Sequence, residues 1–291
     1  MNKTYTLILI FLFYIIAFWT GFLSALFLET TLNMYANLFV ATTISTVVIY
    51  LISLFIKNTS LYDPYWSVQP IFLLFTYYFV YNETITLDIN HLIVIIPLLF
   101  WSVRLTVNWG MEFTGLDYED WRYKMIKSKL KNRALRELVV FIGIMYVPTL
   151  VVFFTVLPLF NSFMILGTNQ LLFYIIGAVV ILAGIFLELT ADSQMQVFRQ
   201  KKLDTNIDSG LWKYSRHPNY LGELLVWTGV FIATFNNFKV INVIGVIAVY
   251  LMFIAISIPM AEKRYLEKYP RYIDYKKRTS MLLFLPKRKK K

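Results

Sequence analysis

The 291-residue chain contains no cysteine and only two histidines, His91 and His217. Disulfides, thiol catalysis and thiolate metal sites are excluded, and a histidine-based metal centre has too few ligands. Charge is also scarce. Only 15% of residues are Asp, Glu, Lys or Arg, against about a quarter in a soluble domain. Acidic residues are the scarcer sign, 17 against 28 basic, for a net charge of +11. No GxGxxG or Walker loop is present, so any bound nucleotide lies between helices rather than on a Rossmann or P-loop domain. No internal repeat of useful length is visible.

What the chain has in quantity is hydrocarbon. Hydrophobic residues make up 58% of it and the mean hydropathy is +0.60. This composition indicates an all-α, polytopic transmembrane helix bundle. About eight spans are expected, within a range of roughly seven to ten. They lie at about 5–28, 36–56, 67–82, 90–107, 137–158, 170–191, 219–236 and 240–260. The first run is too long for a secretory h-region and lacks a small-residue cleavage site, so it reads as a retained span.

Basic residues partition between the connections. Arg122, Lys124, Lys127, Lys129, Lys131, Arg133 and Arg136 follow the fourth span, and Arg199, Lys201, Lys202, Lys213 and Arg216 follow the sixth. A third set begins at Lys263 and ends in the cluster at 287–291, whereas the opposite loops (29–35, 83–89, 159–169, 237–239) carry only Lys239. The positive-inside rule then places both termini in the cytoplasm. The excess positive charge fits anionic lipid headgroups rather than nucleic acid. Residues 1–59 read as N-terminal spans, 60–285 as the catalytic region and 286–291 as a basic disordered tail.

Polar groups gather on the cytoplasmic side. Glu188, Asp192 and Arg199 are spaced four and seven apart, along one helix face. Gly210-Leu-Trp-Lys-Tyr-Ser-Arg-His-Pro-Asn-Tyr-Leu-Gly-Glu223 then brings Lys213, Arg216, His217, Asn219 and Glu223 against an apolar run. Ionisable groups at such a boundary are a functional signal by default. Pro218 suits a first helical turn, and the free N–H groups there suit phosphate or carboxylate. Arg216 and Arg199 are candidates for bidentate phosphate contacts. After the last span, Glu262, Lys263, Arg264, Tyr265, Tyr269, Tyr272, Tyr275 and Arg278 read mainly as an interfacial helix. Weaker sites are Asp63, Tyr65 and Trp66, then Arg104, Asn108 and Trp109, then Asp117 to Tyr123.

Asp192 to Arg199, Gly210 to Glu223, and Tyr265 with Tyr269-Pro-Arg-Tyr-Ile-Asp-Tyr275 and Arg278-Thr-Ser resemble the steroid 5-alpha-reductase C-terminal family. The resemblance is greatest to the bacterial-type membrane branch labelled DUF1295. Asp63 with Trp66, Arg104, and Glu119 to Tyr123 match that branch too. The resemblance implies a membrane reductase that uses NADPH from the cytoplasmic side. Its substrate would be an activated C=C bond, an enone, in a steroid-like or other lipid entering from the bilayer. By this resemblance Asp192, Arg199, Asn219, Glu223 and Tyr265 sit at cofactor-ligand positions, and Tyr214, Arg216, His217 and Tyr220 line the same pocket. Asp63 and Tyr65 are the catalytic candidates by location, and no metal is implied. The expected setting is a bacterial inner membrane or endoplasmic reticulum.

Arg216-His217-Pro218 with Tyr220 and Gly222 also resembles the isoprenylcysteine and phospholipid methyltransferases, which use S-adenosylmethionine. Those usually carry a Glu-Glu pair after the last span, where this chain has Ala261-Glu262-Lys263. A non-catalytic lipid-binding or transport protein is the third alternative.

Overall fold

The computed structural model describes residues 2–81, 88–164, 168–237 and 240–287. Lys239, most of the 83–89 loop, part of the 159–169 loop and the 288–291 end of the basic tail lie outside these residues. The described residues are mostly helical and contain no strand. The chain divides into two compact units, Met1–Leu166 and Gly167–Lys291. Residues 1–59 thus pack within the larger first unit, and the division falls at 166/167.

The first unit contains α1 (Lys3–Leu28), α2 (Met34–Ile56), α3 (Tyr65–Tyr81), α4 (Leu92–Glu112), α5 (Trp121–Ser128), α6 (Arg133–Val139) and α7 (Val147–Phe163). Asn2 and Asn33 cap α1 and α2 by accepting from the backbone N–H groups of Thr4 and Ala36. Apart from Ile10, the residues that α1 buries are small or polar, among them Ala17, Gly21 and Ala25, while Phe11, Ile16, Trp19 and Phe27 are exposed. This inverts a soluble helix. In hydrocarbon, large apolar side chains face outward at no cost, and small residues let backbones approach.

The second unit contains α8 (Thr168–Gln200), α9 (Pro218–Ala233), α10 (Val240–Leu251), α11 (Ile258–Lys268) and α12 (Tyr272–Arg278). Among the described residues, six helical stretches are long and apolar enough to cross a membrane: Lys3–Leu28, Met34–Ile56, Ile89–Glu112, Arg133–Phe163, Gln170–Gln200 and Asn242–Lys268. The protein is an integral membrane protein. The other two expected spans are helical but short, α3 with 17 residues and α9 with 16. Each reaches about 25 Å, against about 30 Å of hydrocarbon.

Two spans contain π-helical turns, Val140–Tyr146 and Met252–Ser257. Each closes one residue before a proline, with Val147 N–H donating to the Ile142 carbonyl and Ile258 N–H to Phe253. Pro148 and Pro259 lack an N–H and crowd the carbonyl four residues back. Widening the preceding turn to i→i+5 relieves that clash without ending the helix.

Four glycines set the α8–α9 contact, Gly177 and Gly184 on α8 and Gly222 and Gly229 on α9, each pair seven residues apart. A Cβ on Gly184 would meet the Gly222 carbonyl oxygen at 2.6 Å, and one on Gly222 would meet that of Gly184 at 2.7 Å. The backbones therefore touch, which aligns the polar end of α8 with the start of α9. Gly184→Ala and Gly222→Ala should each lower the melting temperature in detergent, because overpacking against rigid backbone costs about 1–3 kcal/mol. Gly110→Ala, with nothing within 4 Å of the added methyl, should leave it unchanged. Equal behaviour of all three would contradict this packing.

Candidate functional site

The α8–α9 connection is built onto the end of α8. Gly210 takes a positive φ of 58° with the Gln194 side chain so close that a Cβ would meet its oxygen at 2.4 Å. The following N–H, of Leu211, donates to Gln194 Oε1 at 2.9 Å, and Trp212 Nε1 donates to the Ala191 carbonyl at 3.1 Å. These contacts hold residues 210–213 in a short 3-10 turn, and α9 starts at Pro218.

Arg216 and His217, at the head of α9, converge on Glu262 of α11. Arg216 Nε donates to Glu262 Oε1 at 2.7 Å, His217 Nε2 lies 3.3 Å from the same oxygen, and Lys276 Nζ lies 2.7 Å from Oε2. The Glu262 side chain is only 5% exposed, so its carboxylate depends on these partners. Burial pushes His217 below its ordinary value, against the pull of Glu262. A carboxylate only accepts, so His217 Nε2 carries the proton and Nδ1 presents a lone pair. Arg216 Nη1 donates to the Lys276 and Thr279 carbonyls, both at 2.7 Å. Its own N–H donates to the Ser280 carbonyl at 2.9 Å, and Tyr275 OH donates to that of Trp212 at 2.5 Å. Residues 272–280 thus form a strap across the motif.

This arrangement separates the sequence candidates by role. Arg216, expected at a phosphate, has its Nε and Nη1 engaged within the protein, and His217 faces Glu262. Tyr220 stacks on His217 with ring centroids 5.3 Å apart. Arg199 is exposed and acts electrostatically on Tyr265, whose ring stacks on Tyr272 at 5.2 Å. Glu188 and Glu223 are buried and Asp192 half-buried, with the Glu188 Cβ against Gly222. Tyr214 is exposed beside Lys213.

Three buried polar atoms around this cluster have no hydrogen-bond partner among the described residues: Asn219 Oδ1, Tyr272 OH and Thr279 Oγ1. Two of them can donate and all three can accept. Such atoms are costly unless something else meets them.

The first unit has a separate polar network. Asn58 Nδ2 donates to the Leu116 and Tyr118 carbonyls at 2.6 and 2.9 Å, Thr59 N–H donates to Glu119 Oε1 at 2.8 Å, and Asp120 N–H donates to Ser60 Oγ at 2.7 Å. Tyr123 OH donates to Asp63 Oδ1 at 2.5 Å, and Arg122 lies 3.9 Å from that oxygen. Burial pushes Asp63 up to about 6, against the Arg122 charge and the Tyr123 hydrogen bond. Tyr65 is fully buried, with its hydroxyl 3.0 Å from Thr46 Oγ1. The two catalytic candidates therefore join different hydrogen-bond networks.

The sequence reading did not identify Glu262 as an anchor, or Lys276, Thr279 and Ser280 as its strap. The available signal was one carboxylate directly after the apolar run of the last span.

Two outcomes follow. Arg216→Ala should lower the melting temperature by more than Lys276→Ala, because the Lys276 side chain is 38% exposed and Arg216 only 11%; equal losses would contradict the assigned anchor. Asp63 is raised from an ordinary 3.8 to about 6, so its contribution to stability is complete below about 3.8 and is lost as pH rises through about 6. Asp63→Asn should flatten the thermal-stability profile over that window, and an unchanged slope would remove Asp63 as its source.

No curated protein and no solved structure matches the chain. Residues 49–279 match the family described as "Protein of unknown function (DUF1295)", a stretch that runs from within α2 to the strap. Since the match covers well over half of the 291 residues, the chain belongs to the DUF1295 family.

Proposed function

We propose that the protein is an NADPH-dependent membrane reductase of an activated C=C bond, related in motif to the steroid 5-alpha-reductases. The observation that carries this reading is the set of buried, unpartnered polar atoms at Asn219, Tyr272 and Thr279. They lie on segments joined by Arg216 and Glu262 and next to a tyrosine stack. In this reading Asp192, Arg199, Asn219, Glu223 and Tyr265 contact the cofactor. Arg216 and His217 hold the pocket from behind, and Tyr214 and Tyr220 flank it. The charge pattern of the loops turns the site to the cytoplasm, where a soluble cofactor is available.

Bound NADPH supplies a hydride to one carbon of the enone C=C bond. The other carbon then needs a proton, for which the resemblance leaves Asp63 and Tyr65 as candidates by their place in the sequence alone. The substrate class is an apolar, lipid-like enone, steroid-like or otherwise. The Arg216-His217-Pro218 signature supports a second reading, an S-adenosylmethionine-dependent lipid methyltransferase.

Titration of the purified protein in detergent with NADPH and with S-adenosylmethionine tests the choice, followed by nicotinamide fluorescence and thermal shift. NADPH should bind and S-adenosylmethionine should not. Asn219→Ala should weaken NADPH about fivefold, the effect of one hydrogen bond of about 1 kcal/mol, with expression near normal. Tight S-adenosylmethionine binding without NADPH binding would overturn the reductase reading. Binding of neither would favour a lipid-binding or transport role.

A further inference from the structure

Between α2, α3 and α7 the first unit buries a run of polar side chains in apolar surroundings. Thr42, Thr46, Tyr65, Gln69 and Thr149 are each 0% exposed and Tyr62 is 4% exposed. Their hydroxyls form a chain, with Tyr62 OH 2.8 Å from Thr149 Oγ1, Thr149 Oγ1 3.3 Å from Thr46 Oγ1, and Thr46 Oγ1 3.0 Å from Tyr65 OH. Each hydroxyl carries one proton. The shortest bond from Thr46 Oγ1 is to the Thr42 carbonyl, at 2.8 Å, and Tyr65 OH reaches that carbonyl at 3.3 Å.

Gln69 lies beside this chain. Its Nε2 donates to the Thr149 carbonyl at 3.0 Å and lies 3.5 Å from Thr42 Oγ1. The first of these bonds fixes the amide, because turning it over would set two acceptor oxygens against each other. Gln69 Oε1 is therefore held in place, buried, with no donor among the described residues. An unmet buried acceptor costs about 1–3 kcal/mol, and hydrocarbon outside the bundle supplies no donor. Two turns along α3, the buried Thr76 Oγ1 shows the same deficit.

We propose that this seam is a binding site for a hydroxyl group that donates to Gln69 Oε1. An amide oxygen only accepts, so the ligand must bring a donor hydrogen, here an O–H. A ketone, ester or ether, including the carbonyl of an enone, does not satisfy it. The hydroxyl comes from an apolar alcohol of the bilayer or from water. The site stands apart from the cofactor reading and survives or fails independently of it.

The test compares farnesol with its methyl ether in thermal-shift measurements on wild-type protein and Gln69→Met, alongside a high-resolution structure grown in a lipid mesophase. Farnesol should raise the melting temperature by about 2–4 °C, the ether should not, and Gln69→Met should abolish the difference. That result assigns the site to an apolar alcohol. No discrimination, together with density for a single water about 3 Å from Gln69 Oε1, assigns it to water. Discrimination that persists in Gln69→Met, or the absence of both discrimination and density, overturns the proposal.

Discussion

A buried carboxylate has to be matched by cations brought against it, and Glu262, near the end of the last apolar span, imposes that demand on the second unit. Arg216 answers it from the head of α9, Lys276 from α12, and His217 adds a neutral donor. Arg216 then reaches past the carboxylate to two carbonyls of residues 276–279. One side chain therefore joins α9, α11 and the strap. Removing either charge alone strands the other in a low-dielectric setting, which is why such pairs are destabilising to break even when they contribute little net stability.

The rest of the second unit brings these residues within reach of each other. Backbone contact at the four glycines lays α9 against α8, so that Glu188 on one helix and Gly222 and Glu223 on the other occupy the same level. Gly210 and Gln194 then return the chain to the end of α8. Pro259 and its π-helical turn widen the last span shortly before Glu262. π-helical turns of this kind occur often at functional sites in helices.

Much of this was legible in the chain. Hydropathy gave the all-helical membrane class, and the costly polar run at Gly210–Glu223 contains the Arg216 and His217 that meet Glu262. The third span was short in the sequence, 67–82, and α3 matches it at 17 residues, whereas α9 stops at 16, three residues before the end of the run read at 219–236. The roles within the motif were less legible still. Spacing placed Arg216 at the boundary, but whether its guanidinium meets a ligand or Glu262 depends on a contact 46 residues away, which no local pattern encodes. The glycine pairs were visible as two seven-residue spacings, 177/184 and 222/229, and acquire meaning only once the two helices are seen to pack. In the sequence Gln69 is one polar residue in the mostly apolar 67–82 run. Its unmet oxygen follows only from knowing where the Thr149 carbonyl lies.

The central claim is that the Glu262 cluster and its strap form the wall of a cofactor pocket. Hydrogen–deuterium exchange with and without saturating NADPH tests it most directly. The account predicts slower exchange in peptides covering residues 214–223 and 265–280 when NADPH is present. Unchanged exchange in both stretches, with NADPH demonstrably bound, would contradict it.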